Sequence, residues 1–117
     1  MPSNSELLTK AYDLFNRRNI DGVLAFMSPD VSWPNALEGG RVHGHNGVRG
    51  YWTKQWGIVD PHVDPVRIEE EGHGTTAVHV HQVVRDLDGN IIFDQIVKHV
   101  YQFEDGLIVR MDIHPAG

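Results

Sequence analysis

The sequence predicts an α+β fold, with about three N-terminal helices lying against a curved, mostly antiparallel sheet. Apolar residues recur at helical spacing in the first half. The second half holds long strand-like runs separated by Gly72-His73-Gly74, Asp88-Gly89 and Asp105-Gly106. At 117 residues, with no linker or repeat, the chain reads as a single domain, 1–117, able to bury most of its unfolded surface around one core.

Leu7, Leu8, Ala11, Leu14 and Phe15 share one helical face behind a Ser3–Glu6 capping box, predicting a first helix over about 4–17. A second, short helix is expected after Asn19, burying Val23, Leu24, Phe26 and Met27 and stopped by Ser28-Pro29-Asp30. Val31-Ser32-Trp33 reads as a short strand cut by Pro34. The run 39–47 reads as a loop around one short extended piece, without the lysine or spacing of a phosphate loop. Val48, Tyr51, Trp52 and Trp56 give a third helix with Gly57 as its stop. Strands are expected over about 62–71, 75–86, 91–104 and 107–114, antiparallel neighbours because their connections are short.

If both Asp-Gly pairs form two-residue hairpins, the facing partners are fixed: Gln82 opposite Gln95, His99 opposite Asp112, Tyr101 opposite Arg110. One face then mixes Val78, Val80, Val97 and Ile108 with Gln82, Gln95, His99, Tyr101, Arg110, Asp112 and His114. A plain core face would hold few such groups, since each buried polar atom left unpaired costs about 1–3 kcal/mol. The mixture suits a pocket wall. A carboxylate at one imidazole nitrogen fixes the tautomer and leaves the other nitrogen free to accept a proton. His99 and Asp112 are therefore the candidate catalytic pair, although such a cross-strand contact is also an ordinary sheet interaction worth about 0.2–1 kcal/mol. No evident nucleophile shares the face, which favours proton transfer beside a carbonyl over acyl-enzyme chemistry. Tyr101 or His114 could polarise the substrate oxygen, and Arg110 could attract an enolate oxygen or sit at the solvent rim. Gln82 and Gln95 either position a ligand or satisfy each other. Trp33, Tyr51, Trp52 and Trp56 either enclose a flat apolar ligand or pack as core. His43 falls near the expected mouth.

The opposite face carries His79, His81, Asp94, Ile96, Lys98, Val100, Met111 and Ile113. The two histidines point the same way and Asp94 lies diagonal to His81. No third ligand is directly opposite, so no metal is assigned. A half-apolar face of this kind suits a homodimer contact through His79, His81, Lys98, Val100, Met111 and Ile113. Sixteen acidic against ten basic side chains, a net charge of −6, argue against a nucleic-acid partner. The absence of cysteine excludes disulfides and thiol chemistry. The apolar runs are too short for a membrane, and the start lacks signal-peptide features, so a cytoplasmic location is expected. No dinucleotide or haem motif is present, and no cofactor is expected.

The order of these elements, with FNRRNIDGVLAFMSPDVSW early, GHNGVRGYW in the middle and HVYQFEDGLIVRMDIH at the end, resembles the NTF2-like superfamily, in particular its SnoaL-like branch. The strongest element is Tyr101, Phe103, Gly106 and Ile108 ahead of a final strand. The resemblance implies a cone whose bent sheet wraps around the helices and encloses an apolar pocket, commonly in a homodimer. It implies no single activity, since the superfamily holds isomerases, cyclases, hydrolytic and dehydrating enzymes and non-catalytic modules. Its steroid isomerases carry a general-base carboxylate just after the short first strand, where this chain has Trp33-Pro34-Asn35. Asn35 can hydrogen-bond a ligand but cannot act as a base. The first-helix tyrosine of those isomerases aligns with Ala11, next to Tyr12. SnoaL-type cyclases carry an acid/base aspartate on the last strand, for which Asp112 is the nearest candidate. The expected protein is thus a pocket for a small apolar organic molecule, acting as a cofactor-independent isomerase, cyclase or lyase on a carbonyl-type substrate. The alternative is a non-catalytic ligand-binding or association module of the same fold.

Overall fold

A computed structural model describes residues 3–115. Helix α1 (Asn4–Asn16) starts where the Ser3 hydroxyl accepts the Glu6 amide at 3.1 Å, and it buries Leu8, Ala11 and Tyr12. Asn19 caps α2 (Ile20–Leu24) by accepting the Gly22 amide. This helix is shorter than predicted. Phe26 and Met27 fall outside it, and strand β1 (Met27–Pro34) runs straight through Ser28-Pro29-Asp30. The physical reason is tertiary: Phe26 O accepts the Ile108 amide at 2.8 Å and Met27 pairs with Ile108, so long-range strand pairing begins before the local stop signal. Strand β2 (Arg41–His43) folds back on β1, and α3 (Gly44–Trp56) follows at once, opening on Gly44 at φ 74° and ending at Gly57.

Four long strands complete the chain: β3 (Val59–Gly72), β4 (Thr75–Asp86), β5 (Ile91–Glu104) and β6 (Leu107–Pro115). The sheet order is β2-β1-β6-β5-β4-β3, antiparallel throughout except where β1 runs parallel to β6. The helices cover one face, and Leu8, Val31, Val48, Val78, Val80 and Ile108 form the centre of the core between the layers. This is the α+β architecture that the sequence predicts. No described helix is long and apolar enough to cross a membrane.

The two Asp-Gly hairpins differ, and the difference decides the site. The first is a three-residue loop, closed by the Asp86 amide donating to Asn90 O at 2.8 Å, with Gly89 at φ 94°. A bulge at Ile92 absorbs the extra residue, so Gln82 faces Gln95 and Val78 faces His99, as predicted. The second is a true two-residue turn with Asp105 and Gly106 both at positive φ, and Phe103 faces Ile108. A bulge at Val109 then intervenes with nothing to offset it. Tyr101 pairs with Met111 and His99 with Ile113, so every β6 side chain beyond the bulge is turned to the face opposite the predicted one.

Asp112 therefore does not meet His99. It pairs with Val100 on the outer face, where Arg110 grips both carboxylate oxygens at 2.8 and 3.0 Å and Arg41 adds a contact at 3.0 Å. These guanidinium contacts, Arg110 foremost, hold the Asp112 carboxyl below its ordinary pKa despite partial burial. Arg41 also donates to Ser32 Oγ, Ser32 O and Met111 O, tying β2, β1 and β6 together.

Candidate functional site

Between the helices and the inner face of β4, β5 and β6 lies a cavity of about 80 Å³, measured as room for the centres of water molecules. On that measure one water needs about 10–15 Å³. The space thus matches about half a dozen waters, the bulk of a one- or two-ring organic molecule. Its walls are mainly apolar, with Phe15, Met27, Trp33, Trp52, Ile108 and Met111 prominent, and no carboxylate among the described residues lines it. Trp33 and Trp52 meet edge to face at 5.6 Å between ring centroids, fixing each other's planes.

Three polar side chains meet in this apolar setting. The Tyr12 hydroxyl lies 2.8 Å from His99 Nδ1 and 2.7 Å from the Tyr101 hydroxyl. Tyr12 reaches the cavity because it sits on the same α1 stripe as Leu8 and Phe15, while His99 and Tyr101 alternate on β5 and so share its inner face. All three are buried, at 6, 6 and 4% exposure for Tyr12, His99 and Tyr101. Burial lowers the His99 pKa from 6.5 to about 4, so the imidazole is neutral near pH 7. Burial also raises both phenols well above their ordinary range and keeps them protonated, the proximity of Tyr101 adding to the effect on Tyr12. His99 Nε2 has no hydrogen-bond partner among the described residues.

Farther out, the Tyr51 hydroxyl accepts the Ala36 amide at 3.1 Å and the Gln55 amide nitrogen at 3.4 Å. Tyr51 and Gln55 are one turn apart on α3 and both line the cavity.

The structure gathers some of the sequence-predicted residues and disperses others. His99, Tyr101, Trp33, Trp52 and Gln82 line the cavity. Trp56 packs against Trp52 and Phe15 behind the wall. Asn35 closes a turn by accepting the Leu37 and Glu38 amides, and His43 is an exposed residue preceding α3. Gln95 faces Gln82 in register but is exposed, and no hydrogen bond joins them. The Val109 bulge puts Arg110, Asp112 and His114 on the outer face and turns Met111 and Ile113, expected at a dimer contact, toward the cavity. On the outer face His79 pairs with Glu69 at 2.9 Å and His81 with Asp94 at 2.6 Å. Among the described residues no group of three or more His, Asp or Glu side chains is placed to hold a metal ion. Sequence reasoning missed Tyr12 and Gln55 as polar cavity groups. For Gln55 the signal is spacing alone, four after Tyr51, whereas Tyr12 lies four after Leu8 and also one residue from the position where the resemblance places a first-helix tyrosine.

A family model described as a SnoaL-like domain matches residues 8–111. Among solved structures, the chain is similar to an NTF2-like protein of unknown function from Burkholderia pseudomallei, with 28% identity, a TM-score of 0.85, and 97% of this chain and 91% of that one covered. It is also similar to TerC, crystallised with polyporic acid, at 26% identity and TM-score 0.83, covering 94% and 88% of the two chains. A proposed polyketide cyclase from Sinorhizobium meliloti shares the fold at 17% identity and TM-score 0.80, covering 97% and 95%. None of the curated proteins matches the sequence.

Proposed function

The chain belongs to the SnoaL-like domain family, and from that premise we propose that its cavity binds a small flat organic molecule with a carbonyl or enol oxygen and catalyses proton transfer on it without a cofactor. The observation that carries this reading is the hydrogen-bonded chain from His99 through Tyr12 to Tyr101 inside an apolar cavity. When the chain runs from His99, Nδ1–H donates to the Tyr12 oxygen and Tyr12 O–H donates to Tyr101. That direction leaves two groups for the ligand, the Tyr101 proton and the Nε2 lone pair. Nε2 removes a proton from the carbon beside the carbonyl, the C–H electron pair becomes a C=C bond, and the carbonyl π pair moves to the oxygen as an enolate. Tyr101 donates to that oxygen in a dry site where such a bond is strong. The imidazolium, a strong acid because burial disfavours its charge, returns the proton at another carbon. In this reading Tyr12 holds the imidazole ring in place of Asp112.

A second reading is ligand binding alone. It is favoured by the absence, among the described residues, of a carboxylate on the cavity wall that would stabilise an imidazolium. TerC, crystallised with polyporic acid, supports an organic acid or its neutral form as ligand on either reading. Deuterium uptake from D2O into β-tetralone, a flat enolisable ketone, separates the two when followed by NMR. Protein-dependent uptake well above the buffer rate is expected. Saturable quenching of tryptophan fluorescence with no added uptake would leave binding alone.

We also infer that two copies associate through the outer sheet face. Ile92 and Ile96 stand there at 57 and 44% exposure beside Lys98, Val100, His79 and His81. Without Met111 and Ile113, the apolar part of this contact shifts toward the first half of β5. Light scattering is expected to give twice the 13.2 kDa chain mass, falling to the single mass in Ile96→Asp. A single mass for the unmodified protein would overturn the contact.

A further inference from the structure

The cavity has a second polar pole that the proton-transfer chemistry does not use. The Tyr51 oxygen accepts two hydrogen bonds, from the Ala36 amide and from the Gln55 side chain, which occupies both of its acceptor positions. Its own proton has no acceptor among the described residues. Tyr51 is largely buried and its phenol lines the cavity, where a donor left idle is costly. Burial raises its pKa, so the proton stays on the oxygen. No hydrogen bond or ring contact links Tyr51 to Tyr12, His99 or Tyr101, so the two poles are separate. They also differ in depth: the Tyr12 cluster is closed off, whereas the surroundings of Tyr51 include exposed Ala36 and half-buried Gln55. The edge-to-face indoles of Trp33 and Trp52 form an apolar wall in the same cavity.

We propose that Tyr51 determines specificity by donating its proton to a second oxygen on the ligand, and that the site selects flat molecules carrying oxygen functions at two ends, such as hydroxylated aryl ketones, over those with one. This deepens the proton-transfer reading and rests on it. The inner oxygen meets Tyr101 while the outer one meets Tyr51, so the ligand enters in a single orientation.

The test compares the affinities of β-tetralone and its aryl-hydroxylated analogue by tryptophan quenching and calorimetry. One neutral hydrogen bond in a buried site predicts that the wild type prefers the hydroxylated ketone by about five- to tenfold. In Tyr51→Phe that ratio is expected to fall to about one. Gln55→Glu gives a second route to the same result without touching Tyr51, because the new carboxyl group accepts the phenol proton and withholds it from the ligand. A ratio of about one in the wild type, or a ratio unmoved in both variants, overturns the role of Tyr51 while leaving the proton-transfer reading intact. If the wild type binds neither ketone, the reading of the cavity itself falls, and this assignment with it.

Discussion

Replacing His99 by asparagine is expected to lower deuterium uptake into β-tetralone by about 10²–10⁴-fold, the usual cost of losing a general base. Asparagine keeps a polar atom near the Nδ1 position, so the link to Tyr12 persists while Nε2, the group assigned to the ligand proton, is removed. Affinity measured by tryptophan quenching should change far less than the uptake rate, since the aromatic walls and Tyr101 remain. That split between rate and affinity marks a group acting in the transition state. Tyr101→Phe should cost about 10²–10³-fold by removing the donor to the enolate oxygen. Unchanged uptake in His99→Asn would place the base elsewhere and sink the mechanism.

Acid should destabilise the protein through the same histidine. In the unfolded chain the imidazole has its ordinary pKa of 6.5, whereas in the fold burial lowers it to about 4. Between those values the unfolded state binds the extra proton, so folding stability declines as pH falls. The penalty is absent above about pH 6.5 and complete below about pH 4, where it amounts to roughly 3 kcal/mol. Denaturant unfolding of wild type and His99→Asn at about pH 8 and pH 4.5 isolates this contribution, because the carboxylates titrate alike in both. The wild type should lose about 2–3 kcal/mol more than the variant over that span. Parallel losses would mean that the imidazole binds its proton equally well in the folded and unfolded chain, or that it gains solvent before the fold opens.

Much of the architecture is legible because its signals are local. Ser3 and Glu6, the aromatic stripe of α3 and the turn glycines each carry their meaning within a few residues, and the elements they predict are present. The end of α2 is not legible, since Ser28-Pro29-Asp30 speaks for a stop while pairing with β6 draws Met27 into a strand. The register of β6 is hidden for a related reason. Val109 is a good strand former with equally good neighbours, and nothing in Leu107-Ile108-Val109-Arg110 marks which residue bulges. The first hairpin comes out as predicted through cancellation, an extra loop residue offset by a bulge at Ile92. Half of the candidate chemistry follows from that success: His99 and Tyr101 lie inward because β5 is in the predicted register with β4. The other half fails with the second hairpin, which sends Asp112 to the two arginines outside.

The Val109 bulge has a consequence for engineering this cavity. Substitution libraries aimed at the β6 wall act through positions 108, 111 and 113, and changes at Asp112 remodel an outer ion cluster. The bulge itself is the stronger variable. Pairing β5 and β6 at their present lengths without the bulge would swing Asp112 beneath His99 and withdraw Met111 and Ile113 from the wall, whereas deleting Val109 would remove the bulge yet keep Tyr101 on Met111 and His99 on Ile113. Substitutions that suppress the bulge at constant length would thereby exchange two apolar side chains for Arg110, Asp112 and His114 without altering any residue that lines the cavity. Selection against the bulge therefore samples wall chemistries that no set of point substitutions at the present lining positions shares, including a His–Asp pair in place of the Tyr12-held imidazole.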